Sequence, residues 1–175
     1  MMQLLDGKKV SEKLKLVLAA EAALVSQQIG RKPHLVAILI GSDGGSETYV
    51  ASKMKNCEAV GFQSTLIRFN ETVTEAELLS QIEKYNPDIL NIHWIGNELI
   101  SLEQIKKIKI PILWTLHDMW AFTGGCHHSG DCNRFEINCG QCKFVKQPEH
   151  WDISHKLWAK KAVEFDSNNL KIITC

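Results

Sequence analysis

The chain has no surplus of charge of either sign. Twenty Lys+Arg stand against twenty Asp+Glu over 175 residues, and the stretches on either side of Pro87 each balance ten against ten. A nucleic-acid or anionic-lipid surface needs a basic excess, so neither partner is expected. Long apolar runs are also lacking. The longest covers residues 35–40, against the ~20 that cross a bilayer. Asp6, Lys8 and Lys9 stand where a signal peptide has its apolar stretch, so a cytoplasmic location is expected. Nor is there a Walker loop, an H-E-x-x-H or a G-x-S-x-G, and Gly41-Ser42-Asp43-Gly44-Gly45-Ser46 does not fit G-x-G-x-x-G. P-loop nucleotidase, zincin, α/β-hydrolase and short-chain dehydrogenase readings therefore have no motif behind them.

What is present is an ordinary globular composition, 45% apolar and 23% charged, in a length that suits one domain or one domain and a fragment. Aromatic and metal-ligating residues are unevenly placed. All five Trp, five of six Cys and six of seven His lie from His93 onward. The break is set at Tyr85-Asn86-Pro87-Asp88, where proline forces its predecessor out of the helical region, giving segments 1–86 and 87–175.

Periodicity runs through that break. Residues 10–28 are helical in spacing (Leu14, Leu16, Val17, Ala20, Ala23, Leu24) and end at Gly30, a C-cap. Residues 34–40 read as a buried strand, 46–60 as a helix, and 62–69 as a strand. Thr74 with Glu77 opens a further helix as a capping box. Strands at 88–95 and 110–116 flank a short helix at 101–108, and a last helix (150–165) and strand (170–174) follow a Gly/Cys/His-rich stretch at 118–148. The expected fold is α/β, three-layered, a mostly parallel sheet with helices on both faces and a Cys/His-rich insertion, the second segment continuing the sheet of the first.

Two constellations stand out. At 100° per residue, Ser46, Tyr49 and Lys53 fall within about 60° on one helix stripe, just after a strand end, where open α/β sheets hold ligands. A Lys there can move protons and a Tyr can stack on a flat heterocycle. The plain alternative is an exposed Lys and a half-buried Tyr on an amphipathic helix. In the second segment His117-Asp118 ends a strand, and Cys126, Cys132, Cys139 and Cys142 follow with C-x5-C-x6-C-x2-C spacing. The closing C-x2-C suits a tetrahedral structural zinc with His127 or His128 as substitute ligands; unligated thiols and disulfides remain open alternatives. Cys57 reads as a small core residue and Cys175 as the chain end. Trp94, Trp114 and Trp120 are expected in the core or its rim, and Trp151 with Trp158 on the buried stripe of the last helix.

The strings Gln3-Leu4-Leu5-Asp6-Gly7-Lys8, Lys32-Pro33-His34-Leu35-Val36-Ala37-Ile38-Leu39-Ile40-Gly41, Gly45-Ser46-Glu47-Thr48-Tyr49-Val50-Ala51-Ser52-Lys53 and Cys57-Glu58-Ala59-Val60-Gly61-Phe62 carry more than spacing does. Residues 1–85 resemble the N-terminal catalytic domain of bifunctional methylenetetrahydrofolate dehydrogenase/methenyltetrahydrofolate cyclohydrolase. The resemblance implies that Lys53 is the catalytic residue, that Tyr49 lines the folate site, that NADP is the cofactor, and that the protein dimerises. It fails at Leu90-Asn91-Ile92-His93-Trp94-Ile95-Gly96, where the family's supporting glutamine segment does not follow; its acidic folate-binding residue and NADP domain are not in this sequence either. The function expected is that of a one-carbon folate enzyme portion, impaired, with dehydrogenation lost.

The strings Pro87-Asp88-Ile89-Leu90-Asn91-Ile92-His93-Trp94, Trp114-Thr115-Leu116-His117-Asp118-Met119-Trp120 and Cys139-Gly140-Gln141-Cys142 resemble an inner segment of colanic-acid-type bacterial glycosyltransferases. That resemblance implies that His117 and Asp118 lie near a sugar acceptor, and makes a glycosyltransferase fragment the first alternative. An inactive chimeric α/β fold is the second.

Overall fold

A computed structural model describes residues 6–95, 99–166 and 169–174. Cys175 lies outside them. Two compact units divide at Val73/Thr74, so the compositional break at Pro87 falls inside the second unit.

In the first unit, helix α1 (Gly7–Ile29) starts where the Asp6 carboxylate accepts the Lys9 N–H and stops at Gly30, whose φ of 70° admits no β-carbon cheaply. Strand β1 (His34–Ile40) follows, then helix α2 (Gly44–Ala59) and strand β2 (Gln63–Phe69). β1 and β2 pair in parallel from His34 against Gln63 to Ile40 against Phe69, and α2 packs on both strands. Parallel strands need such a crossover, because a tight turn can only reverse the chain.

The second unit opens with helix α3 (Glu75–Tyr85). Its capping box is complete: Glu77 N–H donates to Thr74 Oγ1 and the Thr74 N–H donates to the Glu77 carboxylate. The helix ends at Asn86, in the left-handed region before Pro87. Strand β3 (Leu90–Ile92), helix α4 (Leu102–Lys107), strand β4 (Ile112–Leu116), helix α5 (Ile153–Glu164) and strand β5 (Leu170–Thr174) complete it. The three strands form a parallel sheet of order β3-β4-β5. The α/β class with parallel strands is thus the one expected. The described strands form two hydrogen-bonded sheets, of two and three strands.

Burial is lopsided. Among the described residues the first unit buries only Ala22, Leu39 and Val60 of its apolar side chains. The second buries Leu78, Ile82, Ile92, Ile95, Ile100, Ile105, Ile112, Trp114, Leu116 and Ala121. Central β4 shows why: Ile112, Trp114 and Leu116 alternate inward along a strand flanked on both sides. By contrast Leu14, Leu16, Val17 and Leu24, on the helix read from its apolar spacing, are exposed on α1.

Tryptophan placement needs two corrections. Trp151 precedes α5 and is 62% exposed, because Asp152 caps the helix and starts it at Ile153. Trp94 is half-exposed, while Trp114 is in the core as expected. No helix among the described residues is long and apolar enough to cross a membrane.

Candidate functional site

The β1–α2 turn delivers the first constellation. Gly41 has φ 78°, and the Asp43 carboxylate caps α2 by accepting the Ser46 N–H at 2.8 Å. The Ser46 backbone bond, followed by the Ser46 hydroxyl, holds the Asp43 carboxyl below its ordinary pKa. Ser46 is therefore engaged in capping through its backbone N–H, ahead of Tyr49 and Lys53 on the same helix. Those two do meet: Lys53 Nζ stands 4.7 Å from the centre of the Tyr49 ring, a cation–π distance. The ring is 55% exposed and Lys53 half-buried. Neither residue lines the hollow at the ends of β3 and β4 or the one beside Ala22 and Ser26 of α1. The pair thus occupies an open face. One turn on, burial pushes the Cys57 thiol up while Lys53 pulls it the other way.

The same turn does not fit the pyrophosphate of NADP. A dinucleotide site needs free N–H groups and a close backbone approach at the helix start. Here Asp43 already caps the helix, Glu47 stands in its first turn, and the Glu71 side chain lies 3.2 Å from where a β-carbon on Gly41 would be. The Asp43 cap, the Glu47 carboxylate paired with Arg68 at 2.8 Å and the Glu71 side chain beside Gly41 thus occupy this turn.

At the carboxyl ends of β3 and β4 a second constellation forms. His93 Nδ1 and His117 Nε2 are 2.9 Å apart, with rings stacked at 5.2 Å between centroids. One nitrogen must donate and the other accept, so the pair shares a proton. Asp118 Oδ2 bonds His127 Nδ1 at 2.8 Å and Oδ1 accepts the Trp120 N–H at 2.8 Å. Burial pushes the Asp118 carboxyl up, but these bonds, His127 foremost, outweigh it and leave the group below its ordinary range. Trp114 Nε1–H donates to the His93 carbonyl at 2.8 Å and sets its ring edge-on to Phe165. The hollow between His93, Trp94, His117 and Trp120 has room for about one water. His117 and Asp118 were legible as a strand-end pair. Their partners His93 and His127 were not, although His93 also directly follows a strand. His127 goes to Asp118, not to the cysteines.

Cys126, Cys132, Cys139 and Cys142 are free, half-buried thiols. Cys139 lies within electrostatic range of the other three, and Cys126 of Cys132 and Cys142; burial pushes the Cys126 and Cys139 thiols up. As they stand, no three His, Cys, Asp or Glu side chains among the described residues converge closely enough to hold a metal ion. Beside them sits Lys161, 2% exposed, donating to the carbonyls of Trp120 and Thr123 with its Nζ 3.6 Å from the centre of the Trp120 ring. Burial lowers its pKa to about 8. A buried lysine gives no periodicity signal, and sequence reasoning missed it.

A model of the tetrahydrofolate dehydrogenase/cyclohydrolase catalytic domain matches residues 5–95, just over half of the chain. The bifunctional protein FolD of Phocaeicola vulgatus is 55% identical over 87 residues, and that of Porphyromonas gingivalis 52% over 86. These matches cover 50% and 49% of this chain but only 30% and 29% of those relatives. The bifunctional FolD enzyme of Campylobacter jejuni, a methylenetetrahydrofolate dehydrogenase/cyclohydrolase, superposes on 99% of this chain and 67% of its own. Its TM-score is 0.53 at 21% identity, a likeness of fold. The glycosyltransferase resemblance of residues 87–175 and the chimera reading gain no support from these comparisons.

Proposed function

Since the chain belongs, through residues 5–95, to the tetrahydrofolate dehydrogenase/cyclohydrolase family, we propose that its first unit binds a reduced one-carbon folate and hydrolyses the methenyl form at Lys53. The observation that carries this reading is the side-by-side placement of Tyr49 and Lys53, 4.7 Å from ring centre to Nζ, on the helix that leaves the carboxyl end of β1.

The chemistry asks little of a cofactor. Water adds to the carbon bridging N5 and N10, the C–N5 bond breaks, and the product is a formyl group on N10 with one proton released. The exposed Tyr49 ring offers a face for the flat heterocycle to stack on. The Lys53 ammonium, on the same stripe, gives a proton to N5 as the ring opens and recovers one from the hydroxyl of the added water as the formyl group forms, the water's other proton being the one released. Both roles require the substrate to lie across α2, with its one-carbon bridge toward Lys53.

NADP supplies hydride-acceptor chemistry in the family's dehydrogenase step. The carboxylates of Asp43, Glu47 and Glu71 at the β1–α2 turn do not fit its diphosphate, and no hydride step is assigned to these residues. The open setting of Tyr49 also sets the rate. Without a closed wall, water is not excluded and the amine is not held against the substrate, two terms that together supply much of a catalytic site's advantage. Slow hydrolysis is therefore expected.

The test is hydrolysis of methenyltetrahydrofolate, followed by its absorbance, with the 175-residue chain and with Lys53→Ala, both checked for folding by circular dichroism. Turnover above the buffer rate that vanishes in Lys53→Ala supports the reading. Equal rates in two folded proteins overturn it.

A further inference from the structure

We propose that helix α1 pairs antiparallel with α1 of a second copy of the chain, through the apolar stripe that it turns away from its own unit.

The helix is inside-out. At 100° per residue its less exposed positions, Lys15, Ala19, Ala22 and Ser26, share one narrow face, and of these Ala22 alone is buried. Small residues therefore seat the helix on the first unit, and a hollow of about 330 Å³ remains where Ala19, Ala22 and Ala23 approach Val60 and Gly61. The large apolar side chains lie outside that face. Val10, Leu14, Val17, Leu18, Leu24 and Val25 fall within about 120° of one another and are 40–59% exposed. A surface helix of a self-sufficient domain carries its apolar stripe toward the core instead.

The stripe has the spacing of a helix–helix seam. Val10, Leu14, Val17, Glu21, Leu24 and Gln28 follow one another at alternating steps of four and three, the heptad spacing that keeps two helices in contact over several turns. Glu21 sets the direction. Parallel pairing in register would place Glu21 against Glu21, two like charges in the middle of the seam. Antiparallel pairing centred near Ala19 places Leu14 against Leu24, and Glu21 against Val17, one helical turn from Lys13 of the other copy. Two-fold symmetry makes each of these contacts twice. The same order brings Lys8 and Lys9 to the carboxyl end of the other α1, whose last turn has no basic residue of its own and where a cation is favoured.

The area is sufficient. At these exposures the six apolar side chains leave on the order of 500 Å² in water on each copy, more than monomers usually expose in one patch. Homodimer interfaces are about 65% apolar, so covering the stripe corresponds to about 800 Å² per copy, the size of a stable interface. The first unit also has reason to associate. Among the described residues it buries only Ala22, Leu39 and Val60 of its apolar side chains, and a fold with so small a core gains stability from a partner that binds only the folded form.

The experiment is sedimentation velocity of the full 175-residue chain from low to high micromolar concentration, with amine cross-linking of an equal mixture of unlabelled and heavy-nitrogen-labelled protein. A concentration-dependent shift to twice the chain mass is expected, with isotopically mixed cross-links between Lys9 and Lys32. Leu14→Glu with Leu24→Glu, checked for folding by circular dichroism, should raise the dimer dissociation constant by about a hundredfold or more. Leu16→Glu, at a position 75% exposed but outside the stripe, should leave it unchanged. A chain that stays monomeric at every concentration overturns the proposal, and so does a dimer that the folded Leu14/Leu24 variant still forms. Mixed cross-links joining Lys9 to Lys9 in place of Lys32 overturn the antiparallel order. Sedimentation and cross-linking of the unsubstituted chain decide the matter even where a variant fails to fold.

Discussion

Replacing Trp114 by Phe tests how the second unit's core holds its strand-end histidines. The indole is 2% exposed, its Nε1–H donates to the His93 carbonyl at 2.8 Å, and its ring stands perpendicular to that of Phe165 at 4.9 Å between centroids. Phe keeps an aromatic contact but cannot donate. A buried carbonyl stripped of its donor costs about 1–3 kcal/mol, and the smaller ring leaves a void worth about 1 kcal/mol more. The expected loss is about 2–4 kcal/mol. With a urea slope of roughly 2 kcal/mol per molar, the midpoint of the second unit's transition falls by about 1–2 M. The first unit's transition, where the two separate, stays in place, because the chain divides at Val73/Thr74. Trp151→Phe is the control: that ring is 62% exposed, and its replacement should stay within about 0.5 kcal/mol. Urea titration by far-ultraviolet circular dichroism reads both. Equal small shifts in the two variants would falsify the claim that the Trp114–His93 bond anchors the strand ends.

Gly124→Ala should destabilise the second unit by about 1–3 kcal/mol, because its β-carbon would overlap the Ser154 backbone and come within 2.9 Å of Cys139 Cβ. Gly7→Ala, with open space around it, should be tolerated, and differential scanning of the two proteins decides the matter. Asp152 gives a pH prediction. The Ser154 hydroxyl, then the Cys142 N–H and other bonds, lower its pKa to about 2 from 3.8. Between those values the unfolded chain binds the extra proton, so stability is present above about pH 4 and is lost as pH falls toward 2. Asp152→Asn should be less stable at neutral pH and lose less on acidification, measured as melting temperature from pH 6 to 2. The exposed Arg68–Glu47 pair, at 2.8 Å, should matter little: Glu47→Gln should shift stability by under about 1 kcal/mol in urea titration.

Much of the architecture was legible because local signals agree along the chain. The run 34–40 is strand β1 to the residue, Gly30 ends α1, and Thr74 with Glu77 caps α3. These features depend on neighbours within about four positions, which sequence displays directly. The pairing of Tyr49 with Lys53 is of the same kind, since helical spacing alone puts them together. What spacing could not show is burial. The apolar stripe of α1 is exposed, Trp151 stands outside the core, and Ser46, in phase with Tyr49 and Lys53, is tied to Asp43 through its backbone N–H. Each depends on what lies across from the residue, or on a cap that competes for it.

The sequence by itself determined the family, the α/β alternation, the helix ends and the Tyr49–Lys53 stripe, because motif strings and short-range periodicity are properties of neighbouring residues. Only the tertiary structure decided that His93 meets His117, that His127 serves Asp118, that carboxylates fill the β1–α2 turn, and that Lys161 lies buried beside the cysteines. His93 and His117 are 24 positions apart and Lys161 is 38 from Thr123. Contacts across such separations arise from parallel strand register and helix packing, and no local pattern encodes them.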